Sequence, residues 1–192
     1  MSIYSTSLGL NAMILLFSAI LPYLLGSFNG AYIVTKLFKK QDIRTLESGN
    51  AGATNAGRVL GKKGFLLTVF IDAVKTWIAL WIITIWFGGL EWAIFSGILF
   101  VLLGHLFPLY LQFKGGKGIV VYLAGALWLE PLTLAAAAIA MGLCYGFSRR
   151  YTISGFFAIA MVPVTLFLSY GLTIVSVGMS LAFIALLFVH KK

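Results

Sequence analysis

The chain has 192 residues, of which 61% are hydrophobic and 10% are charged. One soluble core of this size cannot hide so many apolar side chains, so the composition excludes a soluble enzyme, a disulfide scaffold and a receptor with a large ectodomain. A bilayer crossing needs about 17–25 mostly apolar residues, which leaves room for about six or seven crossings and little else. The composition therefore predicts an integral membrane protein.

Apolar runs separated by polar or glycine-rich breaks predict an all-α bundle of about seven transmembrane helices. The predicted spans are 8–35, 64–87, 92–112, 118–129, 132–147, 153–170 and 172–189. The first run is too long for a secretory signal and is interpreted as a span. The fourth span is short, so a tilted or partly re-entrant segment, with five or six full crossings, stays open. Residues 1–192 are predicted to form a single domain, because no repeat or linker divides them.

Basic residues are concentrated in alternate connections between the predicted spans. The segments 36–63, 113–118 and 148–151, together with the C-terminus, hold 13 of the 14 lysines and arginines. The opposite turns contain Glu91 and Glu130 and no basic residue. Because basic loops stay in the cytoplasm, the pattern predicts that the N-terminus lies outside and the C-terminus inside.

The longest hydrophilic stretch contains a small, polar, glycine-rich run from Glu47 to Arg58. Glycine tolerates the positive φ angles of a concave nest of backbone amides, and the arginine fork, hydroxyls and side-chain amides supply further donors. The run predicts an anion site, with a flexible loop that only sets topology as the alternative. The candidate residues are Ser48, Gly49, Asn50, Gly52, Thr54, Asn55 and Arg58.

A second glycine-rich stretch follows the third predicted span. Its ammonium groups and backbone amides are typical of a phosphate site, but it lacks the spacing and the following Ser or Thr of a nucleotide-binding P-loop, so ATP is not predicted. The alternative is a basic turn that keeps the loop in the cytoplasm. The candidate binding residues are Lys114, Gly115, Gly116, Lys117 and Gly118.

His105 precedes the second stretch, near the inner end of the third predicted span. Tyr110 stands where the His-x4-Asp pattern of soluble-type glycerolipid acyltransferases would place a carboxylate. Two interpretations stay open for His105: a hydrogen bond that orients the following loop, or a direct contact with the substrate. A metal site is not predicted, because the only other histidine is His190.

Asp72 and Lys75 lie three positions apart, about a dozen residues into the second predicted span. Charges at this depth are costly unless they pair or face a polar cavity. The spacing therefore predicts an internal ion pair, and Lys75 is also a candidate for substrate binding at the inner mouth of the site.

Together these residues resemble the PlsY family of bacterial glycerol-3-phosphate acyltransferases, which use acyl phosphate as the donor. The resemblance runs from about residue 21 to the C-terminus and rests on Gly26-Ser27, Asp42-Ile-Arg44, Ser48–Asn55 with Arg58, Asp72, Lys75, Gly104-His105 with Pro108, and Phe113–Gly118. It implies an enzyme of the bacterial inner membrane with its active site on the cytoplasmic side. The implied reaction moves a fatty acyl group from acyl phosphate to the 1-hydroxyl of sn-glycerol 3-phosphate, giving lysophosphatidic acid and phosphate.

The resemblance also implies roles for particular residues. The important serine and arginine of the family's first motif match Ser48 and Arg58, and its phosphate-binding second motif matches 114–118, including Lys117. The third motif's histidine matches His190, whereas its asparagine and glutamate positions fall beyond Lys192. The expected catalytic residues are Ser48, Arg58, Lys117 and His190. The expected partners are the two phosphate substrates and membrane lipid, around a monomeric chain, with no cofactor, metal or nucleic acid.

The loops contain no evident carboxylate–histidine pair that would serve as a general base. A phosphate oxygen of the donor is therefore predicted to take the hydroxyl proton, with a histidine base as the alternative. An organophosphate transporter is disfavoured, because the polar residues cluster on one side of the predicted bundle. A membrane scaffold is disfavoured because it has no need of Ser48, Asn50, Thr54 and Asn55 within one loop.

Overall fold

The computed structural model describes residues 16–190, all of whose regular structure is helical. The start of the predicted first span and the two C-terminal lysines lie outside this range. The α-helices are α1 (16–27), α2 (Gly30–Lys39), α3 (Ala53–Phe87), α4 (Glu91–Leu106), α5 (Ile119–Leu129), α6 (Leu132–Ser148), α7 (Tyr151–Tyr170) and α8 (Ile174–His190). Two short 3₁₀ helices span Ile43–Thr45 and Leu109–Leu111.

Within residues 16–190, four helical segments are long and apolar enough to cross a membrane: Leu16–Lys39, Ala53–Phe87, Glu91–Leu111 and Tyr151–Tyr170. Three shorter apolar helices are α5, α6 and α8. The all-α prediction is confirmed, while the count of seven crossings stays a prediction. Helix α5 has 11 residues and rises about 16 Å, roughly half of the bilayer's apolar thickness.

Many of the largest apolar side chains point outward. Phe147 is 91% exposed and Leu172 is 81% exposed. In water such exposure would be a liability, whereas in a bilayer these side chains contact lipid tails. The exterior therefore agrees with the composition in indicating an integral membrane protein.

The predicted first span is interrupted at Phe28 and Asn29, where α1 ends and α2 begins. Asn29 caps α2, because its side-chain oxygen accepts a hydrogen bond from the Tyr32 N–H at 2.9 Å. An Asn-Gly pair inside an apolar run is a turn signal, which the length of the run concealed. The break leaves backbone N–H and carbonyl groups without partners in their own helix, and side chains from other parts of the chain bind them.

The predicted loop 36–63 is largely helical, which corrects the sequence interpretation. Helix α2 continues to Lys39, and α3 begins at Ala53 rather than at residue 64. Helix α3 bends at Gly61, whose φ of 70° and ψ of −164° lie outside the helical region. Frequent glycines hid this early start, because they weaken both helix propensity and the apolar pattern. What remains irregular is residues 40–52, and the segment 46–52 is called loop A below.

Helices α1 and α4 approach closely through two glycines. A Cβ at Gly104 would collide with the Tyr23 carbonyl and lie 2.9 Å from the Ser27 nitrogen. A Cβ at Gly26 would lie 2.8 Å from the Val101 carbonyl carbon and collide with its oxygen. Small residues at such crossings let helix backbones touch in a membrane. The contact brings the C-terminal end of α4, which carries His105, beside the break between α1 and α2.

The chain divides into two compact units, one ending at Val121 and the other beginning at Tyr122. In the first unit, α3 packs against α2 and α4. In the second, α7 packs against α6 and α8, and the buried Tyr122 hydroxyl donates to the Met179 carbonyl at 3.1 Å. The assignment of the whole chain to one domain stays a prediction.

Candidate functional site

Both glycine-rich segments of the sequence lie in the first unit. Loop A leads from the 3₁₀ helix Ile43–Thr45 into α3, and loop B (residues 112–118) leads from the 3₁₀ helix Leu109–Leu111 into α5. Loop A presents Ser48 and Gly49 at the surface, and loop B presents Lys114 there. The two loops carry most of the candidate residues.

Asn55 organises loop A from the first turn of α3. Its side-chain oxygen accepts from the Ser48 N–H at 3.1 Å, and its side-chain nitrogen donates to the carbonyls of Ile43 at 3.2 Å and Leu46 at 3.0 Å. Because Asn55 is 1% exposed and bonded to backbone, its side chain shapes the loop and leaves the Ser48 hydroxyl exposed. A direct contact between Asn55 and the substrate stays a prediction.

The amides of loop A are partly used inside the loop. The Gly49 N–H donates to Leu46 O at 2.9 Å, and the Gly52 N–H donates to Asn50 O at 3.0 Å. These two glycine amides are therefore bonded within the loop, and their binding of an anion stays a prediction. The remaining donors lie at the N-terminus of α3, where Gly52 provides no side-chain cap. An uncapped helix N-terminus of this kind favours negative charge.

Thr54 and Arg58 lie on one face of the first two turns of α3. They are four residues apart, and both are exposed, so they are neighbours on the helix surface. A guanidinium in this position is free to form two parallel hydrogen bonds with a phosphate. The structure thus places Arg58 beside the helix end that follows loop A.

Asp42 and Arg44 form a forked ion pair at the start of this region. Arg44 donates from Nε to both carboxylate oxygens, at 3.0 and 3.1 Å, and from Nη2 to Oδ2 at 2.6 Å. The hydrogen bonds and charge of Arg44 hold the pKa of Asp42 below its usual value. Arg44 Nη1 also donates to the Leu111 carbonyl at 2.5 Å. Asp42 is therefore a weak base, and the pair joins the approaches to loops A and B.

Loop B is closed against the C-terminal end of α4. The Gly115 N–H donates to Leu106 O and the Gly116 N–H donates to His105 O, both at 3.1 Å. These two amides are therefore bonded within the protein, and the binding of phosphate at Gly115 and Gly116 stays a prediction. Their glycines are explained by crowding, since a Cβ at Gly115 would lie 2.5 Å from Pro108 Cδ. Anion binding by the loop through Lys114 and Lys117 stays a prediction.

The two loops meet where Ala51 faces Gly116. A Cβ at Gly116 would lie 2.6 Å from the Ala51 carbonyl oxygen and collide with Nε2 of His105. The Ala51 carbonyl also accepts from Asn29 Nδ2 at 2.9 Å. This junction therefore connects loop A, loop B and the break between α1 and α2.

Asp72, Lys75 and His105 form a buried cluster beneath the junction. Lys75 Nζ lies 2.7 Å from Asp72 Oδ1, 2.7 Å from the Phe28 carbonyl and 3.0 Å from His105 Nδ1. Asp72 Oδ1 also accepts from the Gly30 N–H at 3.1 Å and lies 3.6 Å from His105 Nδ1. The cluster thus binds backbone groups on both sides of the helix break.

The predicted ion pair of Asp72 and Lys75 is confirmed. The ammonium of Lys75 is bonded within the cluster, and its direct contact with substrate stays a prediction. The partners of His105 were not evident from the sequence, because they come from another helix about 30 positions away. His105 is 3% exposed.

Asn29 and Tyr110 are site residues that the sequence interpretation missed. The Tyr110 hydroxyl accepts from the Asn29 N–H at 2.8 Å, so it satisfies a backbone donor at the helix break. The Asn29-Gly30 turn signal was available in the sequence. The hydrogen bond from Asn29 to Tyr110 could not be predicted from the sequence, since the two residues are 81 positions apart.

His190 belongs to the second unit. Its Nδ1 lies 2.9 Å from the Leu186 carbonyl, and its ring meets that of Phe156 edge to face with centroids 5.4 Å apart. Its catalytic role stays a prediction.

The comparisons with known proteins agree with this arrangement. Residues 16–192 match the family model described as glycerol-3-phosphate acyltransferase. The chain belongs to this family. It is 37% identical to glycerol-3-phosphate acyltransferase 1 of Desulfitobacterium hafniense over 94% of this chain and 89% of the relative. It is 38% identical to the glycerol-3-phosphate acyltransferase of Bordetella pertussis over 90% of this chain and 82% of the relative.

Solved structures show the same fold. The crystal structure of PlsY, an integral membrane glycerol 3-phosphate acyltransferase, in its glycerol 3-phosphate form superposes with a TM-score of 0.83 at 30% identity. The match covers 92% of this chain and 88% of that chain. A second crystal structure, of the lysophosphatidic acid form, gives a TM-score of 0.81 at 28% identity. The PlsY assignment and the integral membrane class are therefore established.

Proposed function

We propose that this chain transfers a fatty acyl group from acyl phosphate to the 1-hydroxyl of sn-glycerol 3-phosphate, releasing lysophosphatidic acid and phosphate. The observation that carries the proposal is the junction of loops A and B, which brings two glycine-rich segments together at Ala51 and Gly116, with Lys114 and Lys117 in loop B and Arg58 in the helix that follows loop A. The reaction needs two phosphate groups held close together against their repulsion. The matched PlsY structures in glycerol 3-phosphate and lysophosphatidic acid forms support the same acceptor and product.

In this mechanism Arg58 and the uncapped N-terminus of α3 bind the phosphate of the donor, and the Ser48 hydroxyl bonds a reacting oxygen. Lys117 and Lys114 hold the phosphate of glycerol 3-phosphate beside it. The 1-hydroxyl oxygen attacks the acyl carbonyl carbon, and the bond between that carbon and the phosphate oxygen breaks. The electron pair leaves with the phosphate, which is stabilised by the fixed cationic donors.

The proton of the attacking hydroxyl passes to a phosphate oxygen of the donor. The ionised Asp42 is held by Arg44 and is a poor base. A base in this position must lie within hydrogen-bond distance of the hydroxyl, and the departing phosphate meets that condition itself. The alternative is that His190 takes the proton as a general base. Substitution of His190 would test this alternative.

The donor is tested with purified protein and labelled glycerol 3-phosphate. Acyl phosphate, acyl-CoA and acyl carrier protein thioesters are supplied in parallel, with glycerol as the acceptor that lacks a phosphate. We expect lysophosphatidic acid and one phosphate per turnover from acyl phosphate alone, and no product with glycerol. Product from a thioester but not from acyl phosphate would keep the family activity and overturn the proposed donor. An Arg58→Ala variant controls for contaminating enzyme.

We also propose seven crossings, with the N-terminus outside, the C-terminus inside, and the active site on the cytoplasmic face of the bacterial plasma membrane. Single cysteines at Glu91, Glu130 and Lys114 in a Cys144→Ala background test this arrangement. Cysteines at Glu91 and Glu130 should react with an impermeant thiol reagent applied to intact cells, and one at Lys114 should react only after the membrane is opened. Labelling at Lys114 from outside would contradict the orientation.

A further inference from the structure

The buried cluster of Asp72, Lys75 and His105 is more elaborate than packing requires. The three residues are 1%, 5% and 3% exposed. A buried ion pair costs a large desolvation energy and stabilises a fold no more than well-packed apolar side chains would. The benefit of the cluster therefore lies in the backbone groups and loops that it holds in place.

The contacts of Lys75 determine the tautomer of His105. An ammonium group has three donors and no acceptor, and its three neighbours are Asp72 Oδ1, the Phe28 carbonyl and His105 Nδ1. Because the ammonium only donates, Nδ1 must be the bare nitrogen that accepts. The proton of the neutral ring then lies on Nε2, on the side facing Gly116.

The same ring supports loop B. Nε2 lies against the Cα of Gly116, where a Cβ would collide with it, while the His105 carbonyl accepts from the Gly116 N–H. His105 thus contacts this corner through both its ring and its backbone. Lys117 is the next residue along the chain, so the placement of its side chain follows from the placement of the corner.

The cluster also supports loop A through the helix break. Asp72 binds the Gly30 N–H and Lys75 binds the Phe28 carbonyl, which are the backbone groups on either side of Asn29. The side chain of Asn29 in turn holds the Ala51 carbonyl of loop A. One buried charge pair therefore fixes both partners of the junction.

We propose that the ammonium of Lys75, whose charge is balanced by Asp72, holds His105 in the tautomer with its proton on Nε2. These three are positioning residues that keep loop A in register with loop B. With Nδ1 occupied by Lys75 and a proton on Nε2, neither ring nitrogen of His105 can accept a proton, so His105 does not serve as the general base. The inference rests on the proposed function, because register matters for the juxtaposition of the two phosphate substrates.

The tautomer is tested directly by ¹⁵N NMR of protein labelled at the imidazole nitrogens. The chain has two histidines, so comparison with His105→Gln assigns the signals. We expect His105 to show a bare Nδ1 and a protonated Nε2. In Lys75→Met the Nδ1 should become protonated, because Asp72 is then the only charged neighbour within reach of it. A protonated Nδ1 in the unmodified protein would overturn the proposal, whether or not the acyl transfer assay succeeds.

The positioning role is tested with a double-mutant cycle on kcat/KM between Lys75→Met and Lys117→Ala. A displacement of about 1 Å at a reacting group costs about 10²-fold, which is the expected loss for Lys75→Met alone. In the Lys117→Ala background the same change should cost at most about tenfold, because the positioned side chain is already absent.

Thr68→Val is the matched control for this cycle. Thr68 is fully buried on the same helix, and its hydroxyl donates only to Gly64 O of its own helix at 2.8 Å. Its effect should multiply with that of Lys117→Ala. If the effects of Lys75→Met and Lys117→Ala multiply in the same way, Lys75 acts on stability alone and the proposal fails. Should Lys75→Met not fold, Lys75→Arg keeps the charge and moves the donors, and the same cycle applies to it.

Discussion

Loops A and B are both rich in glycine, but Gly49 and Gly116 serve different purposes in them. In loop A a Cβ at Gly49 would come no closer than 3.2 Å to its nearest neighbour, the Arg44 carbonyl, and φ is +70°. In loop B a Cβ at Gly116 would overlap the His105 ring and the Ala51 carbonyl. Gly49 is thus needed for its backbone angle and Gly116 for lack of space. Loop A leaves the exposed Ser48 available to a ligand, whereas loop B is packed at Gly115 and Gly116 and presents the exposed Lys114.

This difference predicts that Gly116→Ala in loop B has a much larger effect than Gly49→Ala in loop A. The new Cβ would displace either loop A or the ring of His105, so turnover should fall by about 10²-fold or more and the melting temperature should fall as well. Steady-state assays and thermal unfolding in detergent measure both. Gly155→Ala is the matched control, because a Cβ there meets nothing within 4 Å and should leave both values unchanged. Normal activity in Gly116→Ala would refute the description of loop B as packed.

A substitution at Ser48 in loop A is expected to lower turnover without lowering stability. Ser48→Ala removes an exposed hydroxyl without touching the Ser48 N–H that Asn55 holds. Loss of one donor to a developing charge costs about 10²–10³-fold in kcat, and the melting temperature should stay unchanged. Thr45→Ala, which removes an exposed hydroxyl bonded to the Asp42 carbonyl, is the control and should retain full turnover. A matching loss of stability and activity in Ser48→Ala would assign Ser48 to the fold.

Arg58→Lys keeps the positive charge beside loop A and removes the two-pronged donor. If the guanidinium forms parallel bonds with the donor phosphate, kcat/KM should fall by about 10²-fold. Lys62→Arg, four residues further along α3 and also exposed, makes the reverse change and should have no effect. Kinetics within threefold of the unmodified protein would remove Arg58 from the phosphate site.

The smallest effect is expected at Gly49. Alanine there would hold a left-handed backbone angle at a cost of about 1–2 kcal/mol, while asparagine tolerates that angle better. We therefore expect Gly49→Ala to lower the melting temperature by a few degrees, by more than Gly49→Asn does, with KM for both substrates nearly unchanged. The opposite order of the two variants would mean that crowding limits loop A too.

Hydropathy predicted the helices well, because a long apolar run carries enough information to place a span. It failed where small polar residues continue a helix, as at Ala53–Leu60, since glycines at 52, 57 and 61 mimic a loop. The candidate residues of both loops were found from composition alone. The hydrogen bonds of their backbone amides could not be predicted, because Gly115 and Gly116 donate to carbonyls at the end of α4 that only the folded chain brings near.

The contacts of the buried cluster were likewise only partly predictable from the sequence. Asp72 and Lys75 are three residues apart, so their pairing follows from helix geometry. Their contacts with Phe28, Gly30 and His105 join residues 30 to 47 positions apart. Such contacts depend on helix packing, which a single sequence does not reveal.

The bend at Gly61 has a consequence for how the enzyme meets lipids of different length. The apolar arm of α3 after the bend, residues 64–87, rises about 36 Å and exceeds the apolar thickness of about 30 Å, so we expect it to tilt. The two arms touch, because a Cβ at Gly64 would lie 2.6 Å from the Ala56 carbonyl oxygen. A change of tilt should therefore move the first arm and Arg58 as well. We expect the height at which the guanidinium meets the headgroups to depend on bilayer thickness.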